Sequence, residues 1–314
     1  MTAYILRRLL GVIPVMLVVG IFVFSLLHLA PGDPAAIIAG DNATEENIAR
    51  IRANLGLDRP FLVQFLDWGG GVLRGDLGTS MFSGMPVMKL VQQRMEATIS
   101  LTITTLLVAV VLAVTLGVLA AWRAGTWVDR MVMGVAVTGF SVPVFVVGYM
   151  LVYFLSMKLR WFPVQGYKPI AAGLWDWARH LALPSLALGL AYVALIARIT
   201  RTSMLEVMAE DYIRTARAKG VATLPMLLSH ALKNAAVPIV TVIGIGVALL
   251  ISGVVITETV FNIPGVGRLV VDAITRRDYP IIQGVMIIFA GVYVLINLAV
   301  DIAYCFLDPR IRYR

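Results

Sequence analysis

The sequence predicts an all-α integral membrane protein with six transmembrane helices and a structured outer loop between the first two. Three observations carry this. The 314 residues are 60% hydrophobic and only 14% charged, where soluble domains carry about 25% charged residues. Charge-free apolar runs occur at Leu9–Ala30, Ala97–Trp122, Met131–Met157, Leu181–Ala197, Asn234–Thr257 and Tyr279–Val300. A helix needs about 20 predominantly apolar residues to cross the hydrocarbon layer, within a range of roughly 17–25. The runs are continuous rather than alternating, which excludes a membrane barrel.

The first run follows Arg7 and Arg8, as a signal peptide would. It exceeds the roughly 7–15 residues of a signal h-region, and His28-Leu29-Ala30-Pro31 makes a poor cleavage site, so it reads as a retained first span. Orientation follows from Lys and Arg in the short loops. Thirteen, including Arg123, Arg130, Arg198, Arg201, Arg214, Arg217, Lys219 and Lys233, fall on one side, against seven in the two short loops of the other. Both termini and the 198–233 loop of this multi-pass protein are therefore predicted cytoplasmic. The net charge of +8 sits in short blocks beside apolar runs. Anionic membrane lipid accounts for that placement, and nucleic acid does not.

The chain then divides into a tail and first span at 1–30, an outer loop at 31–96, and a five-helix core at 97–314. In the outer loop, Thr44 is placed to cap a helix running to Leu55, with Ile48, Ile51 and Leu55 on one face and Gly56 at its end. Pro60 fits the first turn of a second helix that Gly69-Gly70-Gly71 is expected to stop. Gly75-Asp76-Leu77-Gly78 reads as a turn, and Pro86 opens a short lead into span 2. Such a loop either covers the membrane surface or meets a partner or gate. In the 258–280 loop, Ile263-Pro264-Gly265-Val266-Gly267 precedes a short helix over Arg268–Arg277, and Asp278 is placed to cap span 6 with Pro280 in its first turn.

Catalytic chemistry finds little support. The phosphate-loop pattern G-x-x-x-x-G-K-[ST] is absent, so the sequence predicts no nucleotide site. His28, His180 and His230 are scattered without metal-ligand spacing, and no metal site is expected. Cys305, the single cysteine, reads as a buried inert thiol. Secondary transport leaves ionisable groups inside spans. Asp301 alone interrupts an apolar segment, about a turn from the inner end of span 6, where an interfacial aspartate is the simpler reading. Ser252-Gly253 has no histidine near it in spans 5 and 6, which leaves an intramembrane hydrolase weakly founded. Pro143 and Pro184, with Gly117, Gly139, Gly148, Gly189, Gly244, Gly246 and Gly253, are expected to thin or break the spans and permit close packing. Ser141 and Pro143 are the candidates for a helix distortion lining a pathway.

The inner loop is more specific. Ile213, Ala216 and Gly220 recur at i, i+3 and i+7, while Arg214, Arg217 and Lys219 point elsewhere. Gly220 fits a helix end that needs positive φ, and the basic residues complement the negative end of the helix dipole. Composition alone leaves open a snorkelling surface helix or a docking helix.

Asp211-Tyr212-Ile213-Arg214-Thr215-Ala216-Arg217-Ala218-Lys219-Gly220 closely resembles the coupling-helix signature of the dipeptide/oligopeptide permease family, membrane subunits of bacterial ATP-binding-cassette importers. The likeness covers nearly the whole chain. It includes Pro31-Gly32-Asp33-Pro34, Leu55-Gly56-Leu57-Asp58 and Gly75-Asp76-Leu77-Gly78. It continues with Arg201-Thr202-Ser203-Met204-Leu205-Glu206-Val207, and with Glu258-Thr259-Val260-Phe261 leading to Pro264-Gly265. Arg277-Asp278-Tyr279-Pro280 and Asp308-Pro309-Arg310-Ile311-Arg312 complete it. Against the general importer motif E-A-A-x-x-x-G-x9-I-x-L-P, anchored on Gly220, the chain has Arg214-Thr215-Ala216 for E-A-A and Leu232-Lys233 for L-P. Those departures resemble the peptide branch itself.

The resemblance implies a type I importer permease architecture and a second, related permease as partner. Two cytoplasmic ATPases, which would hold the ATP and Mg, would dock on the inner loops, with Glu210 and Asp211 through Gly220 as the coupling segment. An extracytoplasmic peptide-binding protein would deliver substrate, and transport would proceed by alternating access. This chain would carry no catalytic residue and no cofactor. Relatives with this pattern handle dipeptides, longer peptides, glutathione and, in one branch, nickel, so dipeptides or short oligopeptides are the expected substrate by family frequency.

Overall fold

The computed structural model describes residues 2–29, 33, 35–36, 44–54 and 56–307. Among them the regular structure is helical, apart from one isolated antiparallel bridge between Thr79 and Pro86. The helices are α1 Thr2–Leu29, α2 Glu45–Asn54, α3 Phe61–Leu73, α4 Val87–Trp122, α5 Trp127–Ser141, α6 Val144–Leu151, α7 Leu174–Met208, α8 Asp211–Ala218, α9 Ala236–Val260, α10 Val266–Arg276 and α11 Tyr279–Leu307. π-Helical segments, Val152–Lys158 and Met226–Leu232, follow α6 and precede α9. The calls on Pro31, Gly32, Pro34, Leu55 and 308–312 lie outside the described residues, as do the side chains of Asp301 and Cys305.

Among the described residues, four stretches are long and apolar enough to span a membrane: Leu10–Leu29, Val87–Trp122, Leu174–Met208 and Tyr279–Val300. Two bent pairs bring the number to six when each counts as one. They are Trp127–Ser141 with Val144–Lys158, bent by 109°, and Thr223–Leu232 with Ala236–Val247, bent by 68°. The third span is thus not the single run expected over Met131–Met157. Pro143 has no N–H to donate and disfavours the helical region for its predecessor. Val142 accordingly sits at φ −90°, ψ 128°, and Pro143 at φ −56°, ψ 137°. Pro184, by contrast, lies inside an unbroken α7.

α7 also corrects the fourth span. Residues 198–208, expected in the inner loop, continue the helix. Val193, Ile196, Ala197, Thr200 and Met204 are all buried, so one helical stripe runs past the charge-free segment. Similarly, the lead after Pro86 and span 2 form one 36-residue helix. Glu258 and Thr259, expected in a loop, close α9, which ends at Val260.

The chain divides into two compact units, Met1–Met95 with Arg268–Val294, and Glu96–Gly267 with Leu295–Arg314. In the first, Phe24, His28, Phe61, Phe65 and Trp68 form an aromatic cluster with ring centroids 5.1–6.0 Å apart, joining α1 to α3. Gln283 donates to the Phe24 carbonyl at 3.4 Å and ties in α11. Pro60 is the N-cap of α3 rather than a first-turn residue, and the helix runs through Gly69-Gly70-Gly71 to Leu73. Glycine lowers helix propensity by about 1 kcal/mol but ends a helix only where positive φ is needed. Here that happens at Gly75, with φ +83°. Asp278 precedes α11, yet its carboxylate accepts from Ser80 Oγ at 2.5 Å and the Met81 N–H at 3.2 Å rather than capping the helix as expected.

The second unit packs α4, α5, α6, α7 and α9 around buried clusters. One holds Leu101, Leu181, Leu188, Leu250, Val254, Phe261 and Ile263; another holds Ala109, Ala113, Val193, Ile196, Ala197 and Val242. A Cβ at Gly117 would lie 2.7 Å from the Ala197 carbonyl oxygen and 2.6 Å from Thr200 Cβ. Only a glycine lets α4 and α7 approach this closely, the small-residue packing typical of membrane helices.

Candidate functional site

α8 is eight residues long, too short to be stable alone. What holds it is one side chain. Ile213 is fully buried in a cluster with Ala121, Met204, Met226, Leu227, Ala231, Ala235 and Ile239. α8 packs on α7 and the Met226–Leu232 segment, and through Ile213 it joins a cluster that α4 and the start of α9 also enter. Glu210 precedes the helix with extended backbone, and its carbonyl accepts from the N–H groups of Ile213 (3.1 Å) and Arg214 (3.3 Å). At the other end Gly220 adopts φ +79° and donates to the Arg217 carbonyl at 3.0 Å, while the Val221 N–H reaches Ala216 at 3.2 Å. These bonds satisfy terminal carbonyls that would otherwise be orphaned.

With Ile213 turned inward and Ala216 half-buried, the remaining residues are presented outward. Glu210, Asp211, Tyr212, Arg214, Thr215, Arg217, Ala218, Lys219 and Gly220 are all exposed. Arg214 donates to Asp211 at 3.2 Å across one turn, a surface pair whose contribution is small. Thr215 Oγ1 bonds back to the Asp211 carbonyl at 2.9 Å. The arrangement is a rigidly footed, charged, outward-facing ridge. Among the described residues no group of three or more His, Cys, Asp or Glu side chains is placed to hold a metal ion.

Ser141 and Pro143 flank the bend between α5 and α6. Ser141 is exposed and donates to the Val137 carbonyl at 2.9 Å. With Met133, Phe140, Ala194, Leu195 and Arg198 it borders a cavity of about 220 Å³.

Two buried charges escaped the sequence reading. Asp129, at the start of α5, accepts from Arg201 Nε (2.6 Å) and a second guanidinium nitrogen (2.8 Å), and from the Gly125 N–H (2.9 Å). Its side chain is only 7% exposed. Glu258 is fully buried and accepts from Thr98 Oγ1 at 2.5 Å; that oxygen in turn accepts from the Val266 N–H at 2.8 Å. A Cβ at Gly265 would fall 2.0 Å from the Glu258 carboxylate, so the glycine is what admits it. The available signals were a lone acid in the 123–130 basic loop, and an acid closing an apolar run before Pro264-Gly265.

The chain is a member of the family of binding-protein-dependent transport system inner membrane components, whose pattern matches residues 113–313, with the corresponding N-terminal pattern at residues 1–102. It is 59% identical over 313 residues to the probable peptide ABC transporter permease protein y4tP of Sinorhizobium fredii, and 46% identical over 315 residues to the glutathione transport system permease protein GsiC of Salmonella typhimurium. Each alignment covers 100% of both chains. In fold it resembles an inward-facing structure of the MetNI methionine ABC transporter, with TM-score 0.58 at 18% identity over 70% of this chain and 97% of that one. The chain is thus a multi-pass inner-membrane permease of an ABC importer.

Proposed function

We propose that this permease moves dipeptides or short oligopeptides inward, paired with a second permease and driven by two cytoplasmic ATPases that dock on α8. The observation that carries the coupling role is the single buried anchor, Ile213, beneath an otherwise exposed charged helix. Movement of α8 would reach α4, α7 and α9 together through that anchor, and the bundle would switch between outward and inward openings. ATP and Mg would be bound by the ATPases. The distribution of Lys and Arg supports α8 and both termini on the cytoplasmic side. The names of the relatives support peptides as cargo, and the family's dependence on a binding protein supports delivery from the outer face.

Arg217→Glu tests the docking surface. Truncating one partner of an interfacial charge pair costs about 2–5 kcal/mol. The variant is therefore expected to insert normally while losing nearly all ATP-driven peptide uptake and most copurifying ATPase. Wild-type uptake by Arg217→Glu would remove α8 from the coupling role.

A further inference from the structure

The first unit holds a pocket of about 210 Å³ between the 80–83 turn, the start of α4, α10 and the start of α11. Its charged lining is unevenly satisfied. Asp278 is occupied by Ser80 and Met81, and Asp272 faces Arg268 at 4.0 Å. Arg94 and Arg276 line the same pocket, and neither has an acid or hydrogen-bond partner among the described residues. Arg94 is half-buried, so its guanidinium is partly withdrawn from water with nothing to compensate it. In the same lining, Phe82 (51%) and Arg276 are exposed. Exposed aromatic and arginine side chains around a half-buried cation are the composition of a protein-binding hot spot.

We infer that Arg94 and Arg276 form a receptor pocket for an acidic side chain on the binding protein that delivers substrate. This rests on the importer reading above and names the contact through which delivery is recognised. Asp272 is neutralised by Arg268 from outside the lining, so with that partner counted three guanidinium groups face two carboxylates and one positive charge is left to meet an incoming carboxylate. A single guanidinium suits carboxylate geometry through two parallel N–H donors. The flanking Phe82 and Leu90 supply an apolar wall that excludes water from the charge pair once it has formed.

The test is ATPase activity of the complete purified complex in phosphatidylethanolamine vesicles, titrated with the binding protein that stimulates the unaltered complex. Arg94→Gln and Arg276→Gln are each expected to raise the concentration for half-maximal stimulation by roughly ten-fold, as loss of one charged contact implies. The plateau rate and the unstimulated rate should stay unchanged, and the dependence on salt should flatten. Arg276→Gln, being exposed, keeps the test sound if Arg94→Gln fails to fold. Unchanged half-maximal concentrations in both variants would overturn the inference. So would an effect seen only when phosphatidylglycerol is added, which would assign the arginines to lipid phosphate. Lost discrimination between free-acid and amidated peptides at unchanged half-maximal concentration would assign them to the cargo instead. An unaltered complex that no binding protein stimulates would fell the importer reading, and this inference with it.

Discussion

Ile213→Asp is expected to abolish ATP-driven uptake while all six spans still insert. Ile213 is fully buried within a cluster drawn from four other segments, and α8 has only eight residues of its own. Removing such an anchor even to alanine costs about 2–5 kcal/mol. An unpaired carboxylate in the same place adds its own desolvation. An isolated helix of this length does not form in water, so the ridge of Arg214, Arg217 and Lys219 loses its shape as well as its footing. Uptake assays with a surface-accessibility check on insertion separate the two effects. Retained uptake in Ile213→Asp would mean that α8 is not held by this contact or does not couple.

The second large effect concerns stability. Asp129→Ala leaves Arg201 beside α5 with neither carboxylate oxygen, and breaking a buried pair by removing one partner costs about 3–5 kcal/mol. Such a loss is a large share of the roughly 5–15 kcal/mol that holds a folded domain. The variant is expected to melt well below the unaltered protein in detergent and to accumulate poorly. Asp129→Leu combined with Arg201→Leu should recover most of the loss, because an apolar pair of similar size is often neutral. A single variant as stable as the parent would show that the pair contributes nothing.

Local signals were read well and long-range ones were not, and the physics of each explains the difference. The α8 boundaries follow from a buried isoleucine, a basic face and a glycine at φ +79°, all within ten residues. The distortion near Ser141 and Pro143 follows from proline's missing N–H; its 109° size depends on packing that no local pattern encodes. The glycine triplet in α3 misled because propensity is a weak force against a helix packed on the aromatic cluster of Phe24 and Trp68. The length of α7 was missed because Arg198 and Arg201 end the charge-free run, although the buried stripe beneath them continues to Met204. The pairs Asp129–Arg201, Thr98–Glu258 and Ser80–Asp278 join residues 72, 160 and 198 positions apart. One sequence carries no mark that such residues meet.

The most direct measurement is affinity purification of the tagged chain from native membranes, with mass spectrometry of what accompanies it. The account predicts a second permease and ATPase subunits in stable association, and ATP-dependent peptide uptake when the assembly is reconstituted. A chain that purifies alone and transports along an ion gradient without ATP would contradict it, and would direct attention to Asp301.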